Sequence, residues 1–303
     1  MDEISTGNFK EQLQERMIKM KVLITGANGQ LGRALQKVLI EDELYLYDSH
    51  DMDITNFEKV EELIGIKKPD VIINCAAHTK VDLCEEDVEN AYRINAIGAR
   101  NLAIVSSKMN FKLVHISTDY VFEGNNPVAL REDELVKPNT IYGKSKLMGE
   151  EFVKSLSKNH FIIRTAWLYG DGDNFVRTML KLSKQHKKLK VVNDQIGTPT
   201  STKDLANLIN KLIRTEYYGT YHGTCHGKCS WYDFAVKIFD YMKVDIEVEP
   251  CTTDKFPRPA KRPEFSVLDN FMLRIQGLDV FRSWEDAIED YLEGDREWQN
   301  SNL

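Results

Sequence analysis

No stretch of this 303-residue sequence approaches the ~18 consecutive apolar residues that a membrane-spanning helix requires. An excess of positive charge is also missing: 40 Lys and Arg stand against 47 Asp and Glu, a formal net charge of −7. That balance argues against nucleic acid as a partner, because such proteins carry a basic patch or stripe. It leaves small anions open, since backbone amides can bind them locally. The first twenty residues lack the apolar middle of a secretory signal, so the expected location is cytoplasmic, with no membrane contact. Cysteine is sparse and odd in number, at Cys75, Cys84, Cys225, Cys229 and Cys251, which points to reduced thiols. The segment HGTCHGKC, His222 to Cys229, gathers two His and two Cys, but its spacing differs from that of a zinc knuckle, and no metal is expected.

What is present is ordinary for a globular chain, with 42% hydrophobic and 29% charged residues. The length suits one α/β unit carrying a smaller appended part. KVLIT from Lys21 predicts a strand, and Leu31, Ala34, Leu35, Val38 and Leu39 then mark one helical face. LYLY predicts a second strand ending at Asp48, and Thr55 with Glu58 predicts a capping box at the start of the next helix. PDVIINCAA is the apolar run of a strand covered on both faces. A long helix around Val88 to Ser107, a strand FKLVHIST, a helix from near Tyr142 and a strand FIIRTAWLY complete the alternation. The fold class expected is α/β, a doubly wound parallel sheet of Rossmann type with a smaller C-terminal substrate-binding lobe.

No linker, repeat or low-complexity tract divides the chain. Residues 20–165, completed by 198–222, are expected to form the dinucleotide-binding part, and 166–197 with 223–303 the lobe, with helices near Asn174 to Gln185 and Ser230 to Met242. Residues 1–19 are an extension, in which Phe9, Leu13 and Met17, continued by Met20, have helical spacing.

TGANGQLG sets Gly26, Gly29 and Gly32 between the first strand and first helix. Glycines there let the backbone approach a pyrophosphate, and the helix directs free amides and its positive dipole end at it. Asp48, at the next strand end, can accept hydrogen bonds from the adenosine ribose hydroxyls and would repel a 2′-phosphate. NADH is therefore favoured as cofactor, with NADPH left open. The Gly-x-x-Gly-x-x-Gly spacing resembles the short-chain dehydrogenase/reductase superfamily, in which positions matching Asp53 and Ile54 contact adenine.

In NTIYGKSK, Tyr142 and Lys146 stand four residues apart at a helix start and share a face. By spacing alone they fit an ordinary surface turn as well as a catalytic pair. In the superfamily's Tyr-x-x-x-Lys arrangement, the tyrosine protonates a carbonyl oxygen as hydride arrives from the nicotinamide. A free phenol has a pKa near ~10, and a lysine ammonium one turn away is expected to lower it. Thr118, at the end of HISTDYVF, is the hydroxyl chosen to polarise the carbonyl, and Asn95 matches a helix position the superfamily keeps polar near the lysine.

From Met20 nearly to its end the chain resembles the dTDP-4-dehydrorhamnose reductase family. TGANGQLG, NCAAHTKVD, STDYVFEG, IYGKSKLMGE, RTAWLYG, DQIGTPT and RPEFSVLD occur in that family's order. The resemblance implies reduction of a ketone at ring position four of a deoxysugar carried on thymidine diphosphate. It places Asn28, Gln30, Leu31, Ala76, Ala77 and Asn95 with the cofactor, beside Gly26, Gly29, Asp48, Asp53, Ile54, Tyr142 and Lys146. Val81, Thr118, Asp119, Tyr120, Tyr142 and Trp167 would surround the sugar of a nucleotide-sugar substrate, and Arg262 would hold a lobe loop or meet the diphosphate. KLSKQHKKLK is expected to be a solvated face. The family leaves a homodimer open. A dehydratase usually needs Asp-Glu after the threonine, whereas Tyr120 follows Asp119 here. An epimerase of the same superfamily, or a non-catalytic dinucleotide-binding regulatory subunit, remains an alternative.

Overall fold

The computed structural model describes residues 19–301, with side chains through residue 294. The N-terminal spacing on Phe9, Leu13 and Met17 lies outside the described residues. Along the chain the strands are β1 (Lys21–Thr25), β2 (Glu43–Tyr47), β3 (Val71–Asn74), β4 (Lys112–Thr118), β5 (His160–Thr165), β6 (Leu168–Tyr169), β7 (Lys188–Val192), β8 (Ile196–Gly197), β9 (Thr200–Ser201), β10 (Gly219–His222), β11 (Cys229–Ser230) and β12 (Glu247–Cys251). The helices are α1 (Gln30–Val38), α2 (Phe57–Lys67), α3 (Val81–Glu86), α4 (Val88–Tyr92), α5 (Ala99–Met109), α6 (Ile141–Leu156), α7 (Phe175–Ser183), α8 (Thr202–Ile213), α9 (Trp231–Met242), α10 (Phe271–Ile275) and α11 (Trp284–Ser301).

Six strands make one parallel sheet in the order β10-β5-β4-β3-β1-β2. From β1 the chain steps to β2 on one side and returns to β3 on the other, so the order reverses between β1 and β3. In an open α/β sheet that reversal opens the ligand crevice beyond the carboxyl ends of the strands. The strand period of two sorts the core into two layers. Val22, Ile24, Val114 and Phe161 join Leu31 and Leu35 of α1 and Leu205, Leu208 and Leu212 of α8. Leu23, Ile72, Leu113 and Ile162 join Val60 and Ile64 of α2, Leu102 and Val105 of α5 and Val153 of α6. Both faces are thus covered, which is why these strands carry apolar residues almost without interruption.

The later elements extend the first layer. Phe234 and Ile238 of α9, Leu273 of α10 and Trp284, Ile288 and Leu292 of α11 belong to the same hydrophobic cluster as α1 and α8. Three two-stranded pieces, β12 with β7, β11 with β8 and β6 with β9, stand apart from the main sheet.

Three local expectations change. Helix α2 is capped by Asn56, whose side chain accepts from the Lys59 amide at 3.0 Å, and Thr55 is not the cap. Asp53 explains the shift: its carboxylate takes the Thr55 amide at 2.9 Å and its carbonyl takes the Asn56 amide, so a turn comes first. FIIRTAWLY is two strands, broken at Ala166 and Trp167, where Trp167 has φ of 47°. Between α4 and α5 the helical run contains a π-turn, Arg93–Gly98, carrying Asn95; such turns recur at functional sites.

Candidate active site

A cleft of about 1930 Å³ opens at the carboxyl ends of β1, β3 and β4 and continues under the lobe. Single-ligand pockets run to roughly 300–1,000 Å³, so this one has room for two ligands end to end. Gly26, Asn28, Gly29, Gln30, Leu31, Asp48, Asp53, Ile54, Ala76, Ala77, Val81, Thr118, Asp119, Tyr120, Tyr142, Lys146, Trp167 and Arg262 all line it. Asn95 does not. The π-turn buries its amide behind the wall, where it accepts from the His78 amide at 2.8 Å and donates to Ser145 Oγ at 3.0 Å.

The cradle is shaped for close approach. Gly26 has φ of 63°, and a Cβ there would stand 2.8 Å from the Ala76 amide nitrogen, so no other residue fits without moving β3. A Cβ on Gly32 would meet the Gly26 and Ala27 carbonyl oxygens at 2.5 Å. The start of α1 has Gly29 as N-cap with no side-chain cap, so its first-turn amides remain available to a phosphate. These residues fit a dinucleotide.

Helix α6 holds the end of β4 at three consecutive residues. The Tyr142 phenol lies beside the Thr118 hydroxyl, which favours its ionised form. Lys146 Nζ donates to the Ile116 carbonyl at 2.6 Å, and Glu150 Oε1 accepts from Ser117 Oγ at 2.6 Å. The helix can sit this close because it begins Thr140-Ile141-Tyr142-Gly143: Thr140 caps it through the Gly143 amide, and a Cβ on Gly143 would lie 2.1 Å from the Tyr120 carbonyl oxygen. Thr118 Oγ1 also donates to Asp119 Oδ1 at 2.8 Å and accepts from the Tyr120 amide at 3.2 Å.

The electrostatics correct one expectation. Burial pushes the Tyr142 phenol above its ordinary 10, and the Thr118 hydroxyl beside it, rather than Lys146, is what opposes the rise. Burial lowers Lys146 to about 8, against the pull of Glu150. Burial raises Asp119 to about 6, eased by Thr118 and the nearby Ser266, while its Oδ2 makes no hydrogen bond of ordinary geometry.

At the lobe end Trp167 stacks on Trp231 with ring centroids 3.5 Å apart and planes 7° apart, and Phe175 packs on Trp231 at 4.6 Å. Arg262 donates to Asp82 at 2.7 Å and to the Ala260 carbonyl, tying its loop to α3 across the cleft. Trp231, Phe175, Asp82, Arg33, Lys190 and Lys261 line the cleft without having been singled out by the sequence. Leu182 and Lys190 are the members of KLSKQHKKLK that face the cleft, most of that segment being exposed. Cys225 and Cys229 are buried in the hydrophobic cluster, and His222 Nδ1 bonds the Leu130 carbonyl at 3.0 Å. Among the described residues, no three metal-ligating side chains converge. Nor is any described helix long and apolar enough to cross a membrane.

Fold and cleft together define a dinucleotide-binding protein of the short-chain dehydrogenase type. Residues 20–296 match the family model described as the RmlD substrate binding domain, and the chain belongs to that family. It is 42% identical over 276 residues to the spore coat polysaccharide biosynthesis protein SpsK of Bacillus subtilis, covering 90% of this chain and 97% of the relative. A crystal structure of a dTDP-4-dehydrorhamnose reductase from Clostridium acetobutylicum is 53% identical, with a TM-score of 0.90 over 91% of this chain and 100% of that one. The dTDP-4-dehydrorhamnose reductase of Bacillus anthracis in complex with NADP is 47% identical, with the same TM-score and coverage.

Proposed function

We propose that this protein is an NAD(P)H-dependent oxidoreductase that reduces the 4-keto group of a nucleotide-linked deoxysugar, dTDP-4-dehydrorhamnose to dTDP-L-rhamnose. The observation that carries the proposal is that Thr118 and Tyr142 line one cleft with the glycine cradle, with Lys146 anchored on the same strand end through the Ile116 carbonyl. The names of the reductases from Clostridium acetobutylicum and Bacillus anthracis support it.

When bound, the nicotinamide supplies the hydride that reaches the ketone carbon. The chain's task is the proton. A buried phenol raised above 10 stays protonated throughout the neutral range, the state a donor needs. Tyr142 gives that proton to the ketone oxygen as negative charge builds on it, and Lys146, lining the same cleft, holds the cofactor. Thr118 has one hydroxyl proton, now directed at Asp119. That hydrogen bond turns to the ketone oxygen, with the proton staying on Thr118, once a sugar hydroxyl takes over Asp119. Trp167, backed by Trp231, offers a flat apolar face to the sugar ring.

Further parts of this reading are ours. Residues 20–165 with 198–222 bind the dinucleotide, and 166–197 with 223–303 form the substrate lobe. Asp48 favours NADH over NADPH. The partially exposed Leu83, Val88, Ile97 and Met148, on neighbouring elements around α6, would be covered in a homodimer. The chain would work in the cytoplasm, where nucleotide sugars are made.

The test mixes purified protein, NADH and dTDP-4-dehydrorhamnose and follows loss of NADH. No turnover with cofactor binding preserved would replace this reading with the regulatory-subunit alternative, and interconversion of sugars without net NADH loss would replace it with the epimerase. Tyr142→Phe should bind NADH nearly as well as the native chain yet lose turnover by about two to four orders of magnitude, the scale of a general acid.

A further inference from the structure

Tyr142, Lys146 and Glu150 lie one turn apart along one side of α6. The proposed mechanism uses the first two. The third is fully buried at 0% exposure, where a carboxylate survives only with its oxygens matched. They are: Oε1 accepts from Ser117 Oγ at 2.6 Å and Arg164 Nε at 2.9 Å, and Oε2 accepts from an Arg164 terminal nitrogen at 2.8 Å, with Lys154 at 3.5 Å. Arg164 is itself 2% exposed and belongs to β5, the strand beside β4. The forked pairing fixes the carboxylate in orientation as well as place.

We propose that Glu150 is a positioning residue of the active site: locked by Arg164 and Ser117, its carboxylate sets the place and charge of Lys146 and of the β4 end that carries Thr118. The inference rests on the reading of Lys146 as the group that holds the cofactor. Ser117 lies between Ile116, which anchors Lys146, and Thr118, which meets Tyr142. Glu150 therefore grips the middle of the segment whose two ends bear the chemistry. Around Lys146 the other facing groups are Tyr142 on its own helix, Cys75 beyond β3 and His115 on β4. Burial keeps the Cys75 thiol protonated, raised to about 12, and the His115 imidazole uncharged, well below its ordinary value. Glu150 is left as the facing counter-charge that opposes the cost of burying an ammonium.

The test compares the native protein with Glu150→Gln across pH 6 to 10, reading both NADH affinity, by nicotinamide fluorescence, and turnover. Loss of the carboxylate should move the alkaline limb of both profiles down by about one pH unit. At pH 8 turnover should then fall by about fivefold, with little change in KM for the sugar, and Glu150→Asp should restore part of it. A variant that melts at lower temperature yet keeps both limbs in place would reduce Glu150 to a structural residue and overturn the inference. Should Glu150→Gln fail to fold, the double variant Glu150→Gln/Arg164→Met removes the orphaned guanidinium and should show the same displaced limb. Lys146→Met must abolish the limb in NADH binding, and if the limb persists the inference falls. A native protein that binds NADH with this limb but turns nothing over sinks the reductase reading while supporting the inference.

Discussion

Glu150 and Asp119 are both buried, at 0% and 4% exposure, and each is bonded to a hydroxyl at the end of β4, Ser117 and Thr118 respectively. They differ in what stands opposite. Burial alone would push Glu150 upward, but the Arg164 hydrogen bonds and charge, with Ser117, outweigh it and hold the carboxyl below its usual range. Asp119 has no cation against it, and burial raises it to about 6, with Oδ2 lacking a hydrogen bond of ordinary geometry. One carboxylate is finished by the fold, and the other is left half-satisfied at the wall of a ligand cleft. A buried polar group without its partner costs stability, so a fold that keeps one at the cleft is holding it for something that arrives.

The largest effect comes from breaking the finished pair. Arg164→Met would leave Glu150 buried with Ser117, the half-exposed Lys154 and the more distant charge of Lys146 around it. Removing one partner of a buried ion pair costs about 3–5 kcal/mol. Urea unfolding at pH 8 should show that loss. The sign with pH also follows: an abandoned Glu150 would have a folded pKa raised above its unfolded value. The deficit should therefore be complete above that pKa and shrink as the pH falls through it. Glu150→Gln/Arg164→Met should recover most of the stability, because both charges leave together. A single variant within about 0.5 kcal/mol of the native chain, the size of an ordinary surface change, would mean the pair contributes little.

The opposite substitution should stabilise. In Asp119→Asn the charge is gone at every pH. The native aspartate, raised to about 6 in the fold, carries its burial penalty in full above that pH. The penalty fades as pH falls toward the unfolded value near 3.8. At about 1.36 kcal/mol per unit, the difference is on the order of 3 kcal/mol at pH 8. Asp119→Asn should then unfold at higher urea than the native protein at pH 8 and match it near pH 4, while losing turnover. Equal stability at pH 8 would show that Asp119 bears no such cost and end the contrast with Glu150.

How much of this was legible in sequence depends on the separation of the partners. The cradle from Gly26 to Gly32, the strand-end Asp48, and the Tyr142–Lys146 pair are local patterns, and all line one cleft. Thr118 could be chosen because a strand end is legible from its apolar run. Glu150 stood in the same IYGKSKLMGE segment but showed nothing of its role, since its partner Arg164 lies on another strand. Trp231 against Trp167, and Arg262 against Asp82, join positions far apart in the chain. The break in FIIRTAWLY is likewise tertiary. Trp167 is held at positive φ, where its ring lies between Trp231 and Gly197, and a Cβ on Gly197 would come within 2.3 Å of that ring. A β-rich run of residues carries no trace of that. The cap on α2 moved for a local reason, the Asp53 turn, which takes up the Thr55 and Asn56 amides and starts the helix one residue later.

A third carboxylate sharpens the comparison from the solvent side. Asp48 lines the cleft half-exposed, and its Oδ1 accepts the Ser49 amide at 2.7 Å. Water reaches it, so unlike Glu150 and Asp119 it needs no partner from the fold, and Asp48→Ala should leave the urea midpoint unchanged within about 0.5 kcal/mol. Its effect belongs to the cofactor alone. The variant loses a carboxylate acceptor for the ribose hydroxyls and also loses the repulsion that a 2′-phosphate would meet, with Arg33 still lining the same cleft. Each contribution is of the order of a hydrogen bond to a charged group or less, about 1 kcal/mol. Acting together, they should lower the ratio of kcat/KM for NADH over NADPH by about thirtyfold. An unchanged ratio would take the ribose role from Asp48, and a changed midpoint would make it a carboxylate of the fold like Glu150.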